Sequence, residues 1–154
     1  MKNKRGKVVV VSGGFDCLHV GHLKMFQHAK SLVGEKGELI VIVNNDNWLL
    51  HKKGYCFYPQ QDRVDLIQAL KCVDFVYLTQ HRPNPKDTSV CSALTKINPD
   101  IFANGGDRYP DNVPEVKTCK KLGIEMVWNI GGQKIRSSSD AVAEAKFNKD
   151  KFHK

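Results

Sequence analysis

Two histidines, His19 and His22, stand three residues apart in the segment Gly13-Gly14-Phe15-Asp16-Cys17-Leu18-His19-Val20-Gly21-His22. On a helix that spacing puts both imidazoles on one face. A helix opening here also aims unpaired backbone N–H groups and the positive end of its dipole at one spot, where an anion is favoured. Gly21 lies between the two rings and removes a side chain from the path of an approaching phosphate. The chemistry such a set suits is stabilisation of charge on a phosphoryl group during transfer. The competing use is a zinc site, but zinc wants a third protein ligand and none stands at a satisfying spacing, so no protein-held metal is expected. Taken alone, the pair would also read as two ordinary surface or partly buried histidines.

The elements that must position these residues follow a regular order. Lys7 to Ser12 holds four consecutive valines and ends in Gly13-Gly14, as a strand buried on both faces and then broken by a turn should. Val20 to Leu32 carries an apolar stripe, Leu23, Phe26, Ala29 and Leu32, closed by Gly34, and predicts a helix. Glu38 to Val43 predicts a second buried strand, Gln60 to Lys71 a helix and Phe75 to Leu78 a third strand. His81 to Lys86 contains two prolines and is expected to be a loop. A helix over Val90 to Lys96, a strand over Asp100 to Ala103, a helix over Val113 to Leu122 and a strand over Glu125 to Trp128 complete the alternation. Ser137-Ser138-Ser139-Asp140 then supplies cap residues for a closing helix to about Phe147.

This alternation predicts an α/β, Rossmann-like fold: a five-stranded parallel sheet with helices on both faces, in one domain spanning residues 1–154 with its core at about 7–147. In such sheets ligands sit outside the carboxyl ends of the strands. The polar segments are placed accordingly. Gly13 to His22, Asn44 to Lys53, Asn104 to Arg108 and Gly131 to Ser139 all follow strands and are expected to converge on one rim. On that rim Ser137, Ser138 and Ser139 form either an anion cradle or a simple cap. Asp107, after two glycines, is either a plain turn residue or a partner for ribose, base or magnesium.

Composition bounds the rest. With 154 residues, 41% hydrophobic and 26% charged, the chain suits one layered domain and excludes wholesale disorder and fibrous classes. The formal charge of +8 points to anionic partners. Much of it lies near the ends, in Lys2, Lys4, Arg5 and Lys7 and in Lys146, Lys149, Lys151 and Lys154, which read as solvated tails. The basic stretches lack the interleaved aromatics of a nucleic-acid-binding module apart from Phe147 and Phe152, which argues against that class. Five widely spaced cysteines are expected to be free thiols, and no apolar stretch has the length of a signal peptide or membrane span, which predicts a cytoplasmic protein without a membrane partner.

Gly-x-Phe-Asp followed by His-x-Gly-His, directly after a valine-rich strand, resembles the nucleotidyltransferase superfamily that contains the cytidylyltransferases. The pattern is most similar to glycerol-3-phosphate cytidylyltransferases and to heptose-phosphate adenylyltransferase domains. The resemblance runs from about Val8 to Val142 and includes Asn44-Asn45-Asp46, Asp62-Arg63, Gly105-Gly106-Asp107 and Ser137-Ser138-Ser139. It implies transfer of a nucleoside monophosphate from ATP or CTP, with Mg2+, to a small phosphorylated sugar or polyol, releasing pyrophosphate without a covalent enzyme intermediate. Cofactor-precursor adenylyl transfer, to pantetheine phosphate or a flavin or nicotinamide mononucleotide, is the alternative. It further implies that His19 and His22 contact the triphosphate, that Gly14 and Phe15 offer backbone groups to the α-phosphate beside Gly21, and that Asp16 helps hold the loop. Lys52 or Lys53, Arg63 and one of Lys134 and Arg136 are implied near the phosphates, and Gly106 and Asp107 near the nucleotide. The Asn104-Gly105-Gly106-Asp107 pattern tilts the nucleotide towards ATP. Tyr55 to Pro59 is expected to line the acceptor pocket, where Tyr55, Phe57 and Tyr58 either stack a ring or pack on the core. A homodimer is implied by the same resemblance.

Overall fold

A computed structural model describes residues 6–106, 108, 110 and 113–132 of the chain. The strands are β1 (Val8–Gly13), β2 (Glu38–Val43), β3 (Phe75–Leu78), β4 (Ile101–Gly105) and β5 (Glu125–Ile130). They pair in the order β3-β2-β1-β4-β5, and every pairing is parallel. Helices α1 (Val20–Ser31), α2 (Asp46–Lys53), α3 (Gln60–Gln68), α4 (Cys91–Ile97) and α5 (Glu115–Leu122) connect them. The expected five-stranded Rossmann-like sheet is therefore the observed one.

Successive side chains of a strand point to opposite faces, so a strand covered on both sides must be apolar throughout. In β1, Val9 and Val11 join Leu39, Val41 and Val43 of β2 against Phe26 and Ala29 of α1 and Ile67 of α3. Val10, with Ile42 and Phe102, faces the other way onto Ala93 and Leu94 of α4 and Cys119 of α5. The run of four valines is thus shared between two cores. Cys119 is fully buried, and burial pushes its thiol up to about 11. Burial also raises Cys17, Cys56 and Cys72, and none of the five cysteines is in a disulfide. None of the described helices is long and apolar enough to cross a membrane.

Strand limits follow the sequence expectation closely, and β2 and β3 match it residue for residue. The difference lies after β2, where the stretch expected to be a polar loop folds into α2. Its apolar residues, Trp48, Leu49 and Leu50, are consecutive rather than spaced by a turn, so periodicity does not reveal the helix. Its ends do. The Asn45 side chain accepts from Trp48 N–H at 3.1 Å, and Gly54 closes the helix at φ 80°, a left-handed conformation that costs glycine little.

The strand order fixes where a ligand enters. The chain leaves β1 for β2 on one side and later returns to β4 on the other, so the crevice lies outside the carboxyl ends of β1 and β4. Gly14 to His19 occupies the first of those ends and Gly105-Gly106 the second.

Candidate active site

The His19-Val20-Gly21-His22 segment is a reciprocal helix cap built from imidazoles. His19 is the N-cap of α1, in extended conformation, and its Nδ1 accepts from Gly21 N–H at 3.1 Å. His22 Nδ1 in turn accepts from His19 N–H at 3.2 Å. The two rings stack with centroids 3.8 Å apart and planes 22° from parallel. A nitrogen that accepts bears no proton, so each ring in this arrangement is neutral and carries its hydrogen on Nε2. Phe15, buried with a left-handed φ of 53°, sets its ring edge-on to His22 and to Phe26, each at 5.1 Å, and so anchors the pair to the core. For a bulky residue that backbone conformation is an outlier of the kind found where a loop is shaped for a ligand.

Gly21 has a different job from the one its sequence position suggests. A Cβ there would lie 2.8 Å from His19 Cε1 and 3.0 Å from Nδ1, so the glycine makes room for the His19 ring itself. Gly21→Ala is therefore expected to displace that ring and lower kcat about 10²-fold. The melting temperature should shift by only a few degrees, because the roughly 1 kcal/mol lost with the cap is offset by the similar gain from replacing a helical glycine with alanine. Steady-state kinetics alongside a thermal melt checks both halves.

Behind the pair lies a buried polar knot built on Asp16 and Arg63. Asp16 is 2% exposed, and its two carboxylate oxygens accept from Phe57 N–H at 2.7 Å and Tyr58 N–H at 2.9 Å. Arg63, implied near the phosphates, is 1% exposed rather than a surface cation. Its Nε donates to Tyr58 O, one terminal nitrogen to Gly14 O at 2.8 Å and Asn44 O at 2.6 Å, and the other to Asp46 Oδ1 at 2.8 Å. Asp16 and Arg63 are positioning residues. They tie the ends of β1 and β2 to the loop before α3, and the donors and acceptors they spend within the protein are not offered to a nucleotide.

The lysines after β2 separate in space. Lys52 sits in the last turn of α2 with Nζ 6.0 Å from the Trp48 ring. Lys53 is the one whose charge is felt at Cys17, inside the histidine loop, where it opposes the upward push that burial gives the thiol. On the other side of β1, Gly106 is packed so closely that a Cβ would meet Asn129 Oδ1 at 2.9 Å. Asn129, with φ 59°, was not distinguished by the sequence pattern, although an asparagine just before Gly131-Gly132 is a turn signal. Gly131 N–H donates to His28 Nδ1 at 2.8 Å and fastens the end of β5 to α1.

Asn44 and Asn104, at the carboxyl ends of β2 and β4 on either side of β1, are 3% and 2% exposed. Each has a carboxamide oxygen with no partner among the described residues. Leaving a buried acceptor unmade costs about 1–3 kcal/mol, a cost characteristic of sites that receive a donor from elsewhere. Asp107, Arg136, Ser137, Ser138 and Ser139, together with Lys134, lie outside the described residues. Among the described residues no group of three metal-ligating side chains is gathered that would hold a metal ion.

Comparison with known proteins agrees with this geometry. Residues 10–145 match the family model described as cytidylyltransferase-like. An FAD synthase of Korarchaeum cryptofilum is 37% identical over 125 residues, covering 79% of this chain and 80% of that protein. The bifunctional protein HldE of Syntrophotalea carbinolica is 33% identical over 137 residues, covering 86% of this chain and 24% of that longer protein. Among solved structures, the lipopolysaccharide core biosynthesis protein of Thermoplasma volcanium superposes with a TM-score of 0.66 at 27% identity, over 84% of this chain and 99% of that one. A stacked histidine pair at a helix N-terminus, set at the switch point of a parallel sheet and carried on a chain matched along most of its length, leads to one assignment: the protein belongs to the cytidylyltransferase-like family and is a nucleotidyltransferase.

Proposed function

We propose that the chain transfers an adenylyl group from ATP to the phosphate of a small phosphorylated acceptor and releases pyrophosphate. The observation that carries this reading is the histidine cap, with both Nδ1 atoms tied to backbone N–H groups. Each ring is thereby left with an Nε2–H donor, and the helix end adds its own positive potential. In in-line displacement an acceptor phosphate oxygen attacks the α-phosphorus, the bond to the bridging oxygen breaks, and pyrophosphate leaves with the electron pair. Charge builds on the equatorial oxygens, and fixed donors there lower the barrier without reorganising. Lys53, whose charge is felt in the histidine loop, is the proposed cation for the acceptor or triphosphate. Gly14 and Phe15 supply the loop backbone, while Asp107, Arg136 and Ser137 to Ser139 are the proposed remaining contacts.

Adenylyl rather than cytidylyl transfer is supported by the relatives. The name FAD synthase implies joining an adenylyl group to a flavin mononucleotide, and the resemblance to heptose-phosphate adenylyltransferases implies the same nucleotide. Magnesium fits as an ion carried in on the triphosphate. Both oxygens of Asp16 are already bonded to amides, and the described rim gathers no carboxylate cage, whereas Mg2+ is commonly held by substrate phosphates and water. Bound to the triphosphate, it would neutralise charge on the leaving pyrophosphate.

The nucleotide assignment is tested by a thermal-shift screen of ATP, CTP, GTP and UTP with magnesium. ATP at a hundredfold excess over its Kd should raise the melting temperature by about 5–10 °C, and the others by less. A larger shift with CTP would replace ATP as the donor.

A further inference from the structure

A cavity opens on the face of the sheet opposite α1. Its volume is about 320 Å3, at the lower end of what small-molecule sites occupy, and none of the described residues that line it comes from the histidine segment. Its floor is Tyr77 of β3 with Val90, the N-cap of α4, and Ala93. These three pack in the core that α4 and α5 cover, whereas Phe15, which anchors His22, packs in the core under α1 and α3. β3 is also two strands away from β1, about 10 Å across the sheet.

The rim of this cavity is basic. Arg82 and Lys86, on the loop after β3, and Lys96, in the last turn of α4, all line it and are all exposed. None of the three has an ion-pair partner among the described residues. Ser92 and Lys96 are four residues apart and so share one face of α4. Asp87 is the acid among the lining residues, and it is already engaged. Hydrogen bonds from the Ser89 hydroxyl and, at 2.9 Å, the Ser89 N–H hold its carboxyl below its ordinary pKa. Three cations around one concavity, against a single bonded carboxylate, concentrate anions there.

The loop that carries two of these cations is fixed in place. The His81 ring bridges Thr79 Oγ1 at 2.9 Å and Ser89 O at 3.0 Å. His81 O accepts from the side-chain amides of Asn45 and Asn47, each at 2.9 Å, and Trp48 Nε1 donates to Thr88 O at 2.8 Å. A stretch with prolines at 83 and 85 is thus clamped to α2 on both sides of Arg82 and Lys86. Little ordering of the backbone remains to be done when a ligand binds.

We propose that this cavity is a second ligand site, separate from the transfer site, for a small organic phosphate that carries a further anionic group. The planar fork of Arg82 suits one anionic group, and Lys86 and Lys96 serve the other as point charges. A bare phosphate would leave the apolar floor uncovered and part of the charge unmatched. Binding here does not depend on the adenylyl-transfer reading.

The test is calorimetric titration of the full-length chain with 3-phosphoglycerate, which joins a phosphate to a carboxylate through a short chain, and with inorganic phosphate. 3-Phosphoglycerate is expected to bind about tenfold or more tighter than phosphate, the worth of one further charge-assisted bond, and to weaken as salt is raised. Arg82→Ala with Lys86→Ala should weaken it about tenfold or more, and so should Lys96→Ala alone, with melting temperatures and the thermal shift by ATP as in the native chain. Lys120→Ala with Lys121→Ala removes as much charge as the loop pair from the exposed last turn of α5 and should bind normally. Saturating ATP with magnesium, or flavin mononucleotide, should leave the affinity unchanged. The site is overturned if 3-phosphoglycerate binds no better than phosphate, or if either the loop pair or Lys96 can be removed without loss. An equal loss in the α5 variant would reduce the effect to diffuse surface charge and overturn it as well. Displacement of the probe by ATP or by flavin mononucleotide would assign the cavity to the transfer site and reject a separate one.

Discussion

His22→Gln is expected to lower kcat about 10²–10³-fold while leaving the melting temperature within a few degrees of the native value. Two functions of His22 are separable. Its Nδ1 closes the cap by accepting from His19 N–H, and under the proposed mechanism its Nε2–H donates to the phosphates. Glutamine at the third position of a helix is a natural capping residue and can accept the same bond, so the helix start survives. It cannot stack on His19 as an imidazole does at 3.8 Å, so although its amide N–H can donate, that donor is not fixed where the stacked ring holds Nε2–H. A loss of catalysis with stability retained marks a chemical role. Parallel losses in both would make His22 a structural cap and move the transition-state donors elsewhere. Kinetics with saturating acceptor and a calorimetric melt distinguish the outcomes.

The second large effect is on stability. Arg63→Leu should cost about 3 kcal/mol, or roughly 6–12 °C in melting temperature for a chain of this size. The side chain is fully buried, and removing it leaves the carbonyl oxygens of Gly14, Asn44 and Tyr58 without their donor. Asp46 is about one-third exposed and regains water, which keeps the cost at the lower end for a buried pair. Arg63→Lys should fail nearly as badly, because a single ammonium cannot satisfy three elements in the geometry of a planar fork. Urea unfolding gives the free energy directly. A loss below about 1 kcal/mol would mean that the knot contributes little to holding the rim together.

How much of this was legible beforehand depends on whether the cause was local. Glu38–Val43 reads as a buried strand because its covering is double and its residues must all be apolar, so the string itself carries the signal. The His19–His22 spacing is equally local, and the stacked pair falls where a helix start predicts. Arg63 was not legible. Its partners are 5, 17, 19 and 49 residues away, and a sequence offers no sign that an arginine at a helix start will be turned inward to bind them. Asp16 is a similar case, since its bonds to Phe57 and Tyr58 cross 41 and 42 residues. Gly21 shows a subtler limit. The requirement for glycine was readable, but its reason, the space taken by the His19 ring, needs the ring's position. The helix α2 was missed because its apolar residues are consecutive, although Asn45 and Gly54 cap it as sequence rules would have it. Asp107 and Arg136 to Ser139, which the family pattern marks, fall outside the described residues.

The central claim, that the histidine pair promotes attack at the α-phosphorus, is tested most directly by following the fate of labelled phosphate. With ATP labelled at the α-position, magnesium and a phosphorylated acceptor such as flavin mononucleotide, the label should appear in the acceptor product in step with unlabelled pyrophosphate, and His22→Gln should slow both together. Transfer of label from the γ-position to the acceptor would contradict the account, as would α-label transfer at an undiminished rate when His19 and His22 are both replaced.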